Sequence, residues 1–173
     1  MRGLHLNLGG MDLHLDIKGW GPPPEPSEDE SGIVWCRTEL LLWSRSIRHK
    51  CCDELLTCGE VSELCDALGD LLTGQMKKRE RLGFCEPDLE FSLFPPRRKF
   101  NVPGKVWYTK GYEDVPIRGE MRLRFWCERG LTANYLNVFF DEESLRALWT
   151  YLRMVTGELP MKATRFANGS IEP

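Results

Sequence analysis

The sequence predicts an α+β fold: an antiparallel β-sheet of about six strands with two packed amphipathic helices, in the order β-β-α-β-β-β-β-α. Three observations lead there. Two segments, beginning at Thr57 and at Asp141, carry helix caps followed by apolar residues at helical spacing. Other segments alternate apolar and polar residues with period two, as half-buried strands do. The strand-like segments come in adjacent runs with short connections, which favours antiparallel pairing.

In chain order, residues 1–10 are Gly-rich and weakly patterned and read as a flexible lead. Leu13, Leu15 and Ile17 alternate with His14, Asp16 and Lys18, a strand with one wet face that Gly19-Trp20-Gly21 and the following prolines end. Glu25, Glu28, Asp29 and Glu30 make the next connection an acidic, Pro-rich exposed loop. Ile33 to Ser44 is rich in β-formers and reads as a long strand antiparallel to the first, whereas residues 45–56 carry no assignable pattern. Thr57-Cys58-Gly59-Glu60 is a capping box, and Val61, Leu64, Cys65, Leu68, Leu71 and Leu72 form the buried stripe behind it. Thr73-Gly74 ends that helix, and Lys77, Lys78, Arg79 and Arg81 form a basic segment.

After Pro87, which withholds a ladder donor, Leu89, Phe91 and Leu93 alternate with polar residues as a strand. Pro95-Pro96 breaks it before a basic loop at Arg97-Arg98-Lys99. Val102 to Thr109 reads as a strand and 110–119 as a polar loop. Met121, Leu123, Phe125 and Cys127 mark a further strand, Arg129-Gly130 a turn, and Asn134 to Phe140 the returning strand. Asp141 caps the second helix, with Glu142 and Glu143 in its first turn and Leu145, Leu148, Trp149, Leu152 and Val155 as its buried stripe. Gly157 and Pro160 close it. The expected organisation is one α+β domain over 11–157, with 158–173 a loosely ordered tail.

A chain of 173 residues suffices for one sizeable core, and 42% apolar with 28% charged residues is ordinary for a globular domain. The net charge of -3 argues against dedicated nucleic-acid binding. No stretch approaches the roughly 20 apolar residues that span a bilayer, and no secretory leader pattern opens the chain, so cytoplasmic residence is the expectation. Seven cysteines, an odd number, suit a reducing compartment with buried thiols better than a disulfide framework.

The sequence predicts no catalytic residue, no metal and no cofactor. Cys51, Cys52, Cys58 and His49 lie close in sequence, but their spacing matches no common zinc pattern. His14 reads as a solvated surface histidine, and Glu86, Asp88 and Glu90 as carboxylates of a wet strand face rather than an acid–base pair. Neither Gly9-Gly10 nor Gly19-Trp20-Gly21 runs into a helix start, as a phosphate loop would. Arg97, Arg98, Lys99 and Phe100 are a weak RNA signal, outweighed by the acidic total. More telling are the acidic loop Glu25, Glu28, Asp29, Glu30 and the helical stripe Glu63, Asp66, Asp70, since acidic surfaces capture basic partners quickly and specifically.

Four segments, in order, resemble a known family: Leu13-His14-Leu15-Asp16-Ile17-Lys18-Gly19-Trp20; Ile33-Val34-Trp35-Cys36; Leu56-Thr57-Cys58-Gly59-Glu60-Val61; and the Phe-x-Glu-Pro-x-Leu-x-Phe run from Phe84 to Phe91. The pattern is similar to the WapI-type immunity proteins of bacteria over about residues 11–155. The loop after Trp20 is richer in proline than the family pattern, and Ser31-Gly32-Ile33-Val34-Trp35 replaces its Asp-Asn-Trp-Leu run. The resemblance implies a cytoplasmic, non-enzymatic protein that binds and neutralises a contact-delivered tRNA nuclease, with no direct nucleic-acid or membrane partner. The seven acidic residues would then meet a basic toxin face. The alternatives are a general protein-interaction or scaffold domain, and a small enzyme built on Glu86, Asp88 or a cysteine.

Overall fold

Period-two alternation and helical spacing resolve into fourteen elements in the computed structural model, which describes residues 2–21, 33–85, 89–101, 111–126 and 133–173. The strands are β1 (Gly3–Asn7), β2 (Asp12–Lys18), β3 (Trp35–Trp43) and β4 (Arg48–Thr57), followed by helix α1 (Cys58–Leu72). Then come β5 (Glu80–Gly83), β6 (Leu89–Phe94), β7 (Arg97–Asn101), β8 (Gly111–Val115), β9 (Arg118–Trp126), β10 (Ala133–Phe140), helix α2 (Glu142–Val155), β11 (Thr164–Phe166) and β12 (Gly169–Glu172). A six-stranded antiparallel sheet runs β11-β12-β1-β2-β3-β4, a four-stranded one runs β10-β9-β6-β5, and β7 and β8 form a separate ribbon. The α+β class, the six-stranded antiparallel sheet and the pair of helices match the sequence expectation.

The core lies where both sheets and both helices meet. Leu15 and Leu40 from the larger sheet, Phe91 and Met121 from the smaller, Leu64 of α1 and Leu148 of α2 line one apolar void of about 20 Å³. So little residual space among so many aliphatic side chains indicates close interdigitation. Both helices start as their caps dictate. Thr57 Oγ1 accepts from the Glu60 N–H at 3.1 Å, and Asp141 Oδ1 from the Ser144 N–H at 2.8 Å. α1 stops at Gly74, whose φ of +79° suits glycine, while the Gln75 N–H returns to the Asp70 carbonyl at 2.8 Å. One long-range tether joins α2 to the larger sheet: the Ile17 N–H donates to Tyr151 Oη at 2.8 Å in the buried interior.

Several local readings are corrected. The expected flexible lead, 1–10, contains β1, an interior strand paired with β2 on one side and β12 on the other. Leu4 and Leu6 point into the core, and two aliphatics in so short a strand give little periodic signal. The expected loose tail, 158–173, contains the β11–β12 hairpin. Ile171 there is 0% exposed, and a Cβ on Gly169 would meet the His5 carbonyl oxygen at 2.0 Å, so only glycine fits. Residues 45–56 are largely β4, whose polar side chains suit an edge strand. The basic loop at Arg97 is β7, and the polar loop 110–119 supplies β8 and the start of β9. The strand expected over 102–109, the turn at Arg129-Gly130 and the side chains of Phe125 and Cys127 lie outside the described residues.

Two outcomes follow. Ile171→Ala removes a fully buried side chain that anchors the C-terminal hairpin, and it is expected to cost about 2–5 kcal/mol in urea unfolding, which a loose tail would not. Tyr151→Phe leaves the Ile17 N–H without its acceptor and should cost about 1–3 kcal/mol by the same measurement while preserving the volume of the ring.

Candidate functional site

The first turn of α1 is a junction for four separate stretches of chain. β4 runs directly into the cap residue Thr57, whose N–H donates to Glu60 Oε2 at 2.7 Å. The other carboxylate oxygen, Glu60 Oε1, accepts the Cys85 N–H at 2.5 Å, so a buried glutamate holds the helix start to the chain leaving β5. The Cys58 N–H donates to the Val34 carbonyl at 2.8 Å, and the Cys58 carbonyl accepts Trp20 Nε1–H at 3.2 Å and Ser62 Oγ–H at 3.1 Å. Cys36 Sγ and Cys58 Sγ sit 3.4 Å apart, both buried. Phe84 packs edge-on to Phe91 with ring centroids 6.3 Å apart, continuing the junction into the smaller sheet.

From this junction α1 presents its acidic stripe. Glu63, Asp66 and Asp70 fall at i, i+3 and i+7, one side of a helix, and all three are exposed. None of them forms an ion pair with a cation among the described residues. Glu158 extends the negative region beside Cys65, with Oε1 at 3.9 Å from the thiol, although Arg153 pairs with its other oxygen at 2.9 Å. Glu25, Glu28, Asp29 and Glu30 lie outside the described residues. Their flanks do not: Trp20 and Val34 both bond to Cys58, so the segment between them departs from and returns to the first turn of α1.

A second surface escaped the sequence reading. On the outward side of the four-stranded sheet, Glu90 pairs with Arg81 and stands 4.0 Å from Arg122, which also approaches Glu120 at 3.6 Å and donates to Asn137 Oδ1 at 3.1 Å. The guanidiniums of Arg122 and Arg124 each lie 5.4 Å from the Tyr135 ring centroid. Tyr135 and Phe139 are 49% and 62% exposed, both on β10 at the sheet edge. The signal was available: alternation through 133–140 assigns aromatic residues to the wet face, where solvated strands usually carry polar ones.

A family model described as the Immunity protein WapI-like family matches residues 5–160. The chain belongs to this family. No curated protein and no solved structure matches it significantly. Family membership brings a toxin-neutralising immunity role and a protein toxin as partner. The four segments that resembled the WapI pattern are those joined at the first turn of α1.

The described groups with catalytic precedent are buried or engaged by neighbours. His14 was expected on a wet face, yet it is 0% exposed, stacked on His5 with ring centroids 4.4 Å apart. β2 is an interior strand, and His5 of the neighbouring β1 stacks on that face; Asp16 is likewise buried, paired with Lys18 at 2.6 Å. Burial first, and the adjacent His5 second, push the His14 imidazole below its ordinary pKa, against weaker raising effects of Glu39, Asp16 and the Leu4 backbone. Burial, reinforced by the Cys58 thiol, raises the Cys36 thiol to about 12; burial and then Glu158 raise Cys65 to about 12. Both therefore stay protonated, and poor nucleophiles, at neutral pH. Glu90 is held by its arginines, and Glu86 and Asp88 lie outside the described residues. Among the described residues no group of three or more His, Cys, Asp or Glu side chains is placed to hold a metal, and no helix is long and apolar enough to cross a membrane.

The depressed His14 pKa has a definite sign. The unfolded chain, titrating near 6.5, binds the proton more readily than the folded one, so stability is full above about 6.5 and falls as pH drops toward the depressed folded value. Urea melts at pH 7.5 and 5.5 are expected to show that loss, and His14→Leu should flatten the difference between the two.

Proposed function

We propose that the protein neutralises a cognate nuclease toxin by forming a stoichiometric complex in the bacterial cytoplasm, without catalysis of its own. The acidic groups Glu25, Glu28, Asp29, Glu30, Glu63, Asp66 and Asp70 would meet a basic face of the toxin. A nuclease that acts on RNA needs such a face to hold phosphates, and covering it blocks substrate. The observation that carries this reading is the exposed stripe Glu63, Asp66, Asp70, unpaired by cations among the described residues, on the helix to which both flanks of the other acidic segment are tied. Unpaired carboxylates on one side add their fields, which accelerates encounter with a basic partner and orients it. The junction beneath them is tied by several hydrogen bonds, so α1 presents its charges from a fixed base and loses little freedom on docking.

The sheet surface bearing Tyr135 and Phe139 favours a second reading, a general interaction domain that docks through exposed aromatics. One experiment separates the two. A toxin domain found encoded by a neighbouring gene is titrated with the wild type, with Glu63→Lys/Asp66→Lys/Asp70→Lys, with Glu28→Lys/Asp29→Lys and with Phe139→Ala. The charge-reversed variants should lower the association rate about tenfold or more at low salt, with the difference shrinking as salt rises. Complexes unaffected by either reversal but lost with Phe139→Ala would place the interface on the sheet.

A further inference from the structure

A cluster of cations lies apart from the acidic stripe. Lys77, Lys78 and Arg79 precede β5, Arg97 opens β7 and Arg118 opens β9; these five line one open cavity of about 270 Å³ floored by Phe94, Pro95 and Pro96. The protein is net negative, at -3, so this concentration is not an average property of its surface. None of the five pairs with a carboxylate among the described residues.

Three of the five side chains, those of Lys77, Arg79 and Arg118, are held in place by neutral groups. The guanidiniums of Arg79 and Arg118 lie 4.8 and 4.6 Å from the Phe94 ring centroid. Arg79 also donates to Ser92 Oγ at 3.1 Å, and Lys77 Nζ to the Gly74 carbonyl at 2.5 Å. These contacts orient the cations without neutralising them. Folding thus gathers five positive charges around one concavity, which is unfavourable unless an anion is taken up. Guanidinium forks match the oxygens of a phosphate, and lysines add point charges. A lone carboxylate would offset only a small part of the charge. Phe94 is already engaged by two guanidiniums, so it serves to orient cations rather than to stack a nucleobase.

We propose that this cavity is a binding site for a multiply charged phosphate group, of the diphosphate kind, independent of the toxin-facing surface. The phosphate can come from a free polyphosphate or from a nucleoside diphosphate.

The test uses the full chain. Inorganic pyrophosphate is titrated calorimetrically, and by thermal unfolding at constant ionic strength set with chloride. Saturable binding with a rise in Tm is expected. Lys78→Gln and Arg97→Gln, both exposed, should each weaken binding several-fold, and Arg79→Gln/Arg118→Gln about tenfold or more, while Lys162→Gln, outside the cavity, should not. ADP binding as tightly as pyrophosphate assigns recognition to the phosphates alone; tighter ADP binding makes the nucleotide the ligand. A non-saturating response, or one equal in wild type, Lys78→Gln and Arg97→Gln, overturns the proposal. So does a single-stranded RNA without terminal phosphates that binds when pyrophosphate does not.

Discussion

The Glu60 carboxylate is the contact on which the arrangement of elements turns. One oxygen takes the N–H of the helix cap, Thr57, and the other takes the N–H of Cys85. Thr57 is the last residue of β4, in the six-stranded sheet, and Cys85 follows β5, in the four-stranded sheet. A single buried side chain therefore sets where α1 begins and fixes Cys85, just past β5, relative to that point. An anionic acceptor bonded to two backbone donors is stronger than neutral pairs would be, and leaving those donors unsatisfied away from water would be costly. Trp20 and Val34 then converge on the neighbouring Cys58, so the long connection between β2 and β3 is pinned at both ends to the same turn.

The local half of this was legible. Thr57-Cys58-Gly59-Glu60 shows the capping box on its face, because both partners lie within one turn, and the stripe behind it defines the buried side of α1. The second oxygen was not legible: its partner is 25 residues away and is a backbone N–H that any residue but proline could offer. The same limit explains the termini. Leu4 and Ile171 pair across nearly the whole chain, and each sits in a strand of five residues or fewer, where alternation has no length in which to declare itself. His14 failed for a different reason. Period two states which residues share a face, but it does not state whether neighbouring strands will cover that face. Of the candidate site, the stripe Glu63, Asp66, Asp70 is legible from helical spacing, whereas Tyr135 and Phe139 do not stand out among the aromatic residues that strands commonly carry.

Much of the family likeness is carried by interior residues. Glu60, Phe84, Leu89 and Phe91 are buried, and Trp20 and Cys58 bond to backbone or to one another's segments. Positions of this kind specify a fold, since a change at any of them leaves an unpaired donor or a void. Glu63, Asp66 and Asp70, by contrast, are exposed, and none of the hydrogen bonds of the junction uses their side chains. Family membership therefore reports the general immunity role largely through residues that build the scaffold.

Charge is distributed along α1 in a way the net value of -3 conceals. The helix carries Glu63, Asp66 and Asp70 along its length and no basic residue in its last turn. Immediately past its end Lys77 donates to the Gly74 carbonyl, where the negative pole of the helix dipole favours a cation, and Lys78, Arg79, Arg97 and Arg118 gather beyond it. The chain thereby separates an acidic flank from a basic pole across one helix. Two surfaces of opposite sign on one molecule cannot both be optimised for the same uniformly charged partner. For a basic partner such as the one proposed, the acidic flank would steer approach toward α1, and the basic pole would repel a misplaced approach while remaining open to an anion.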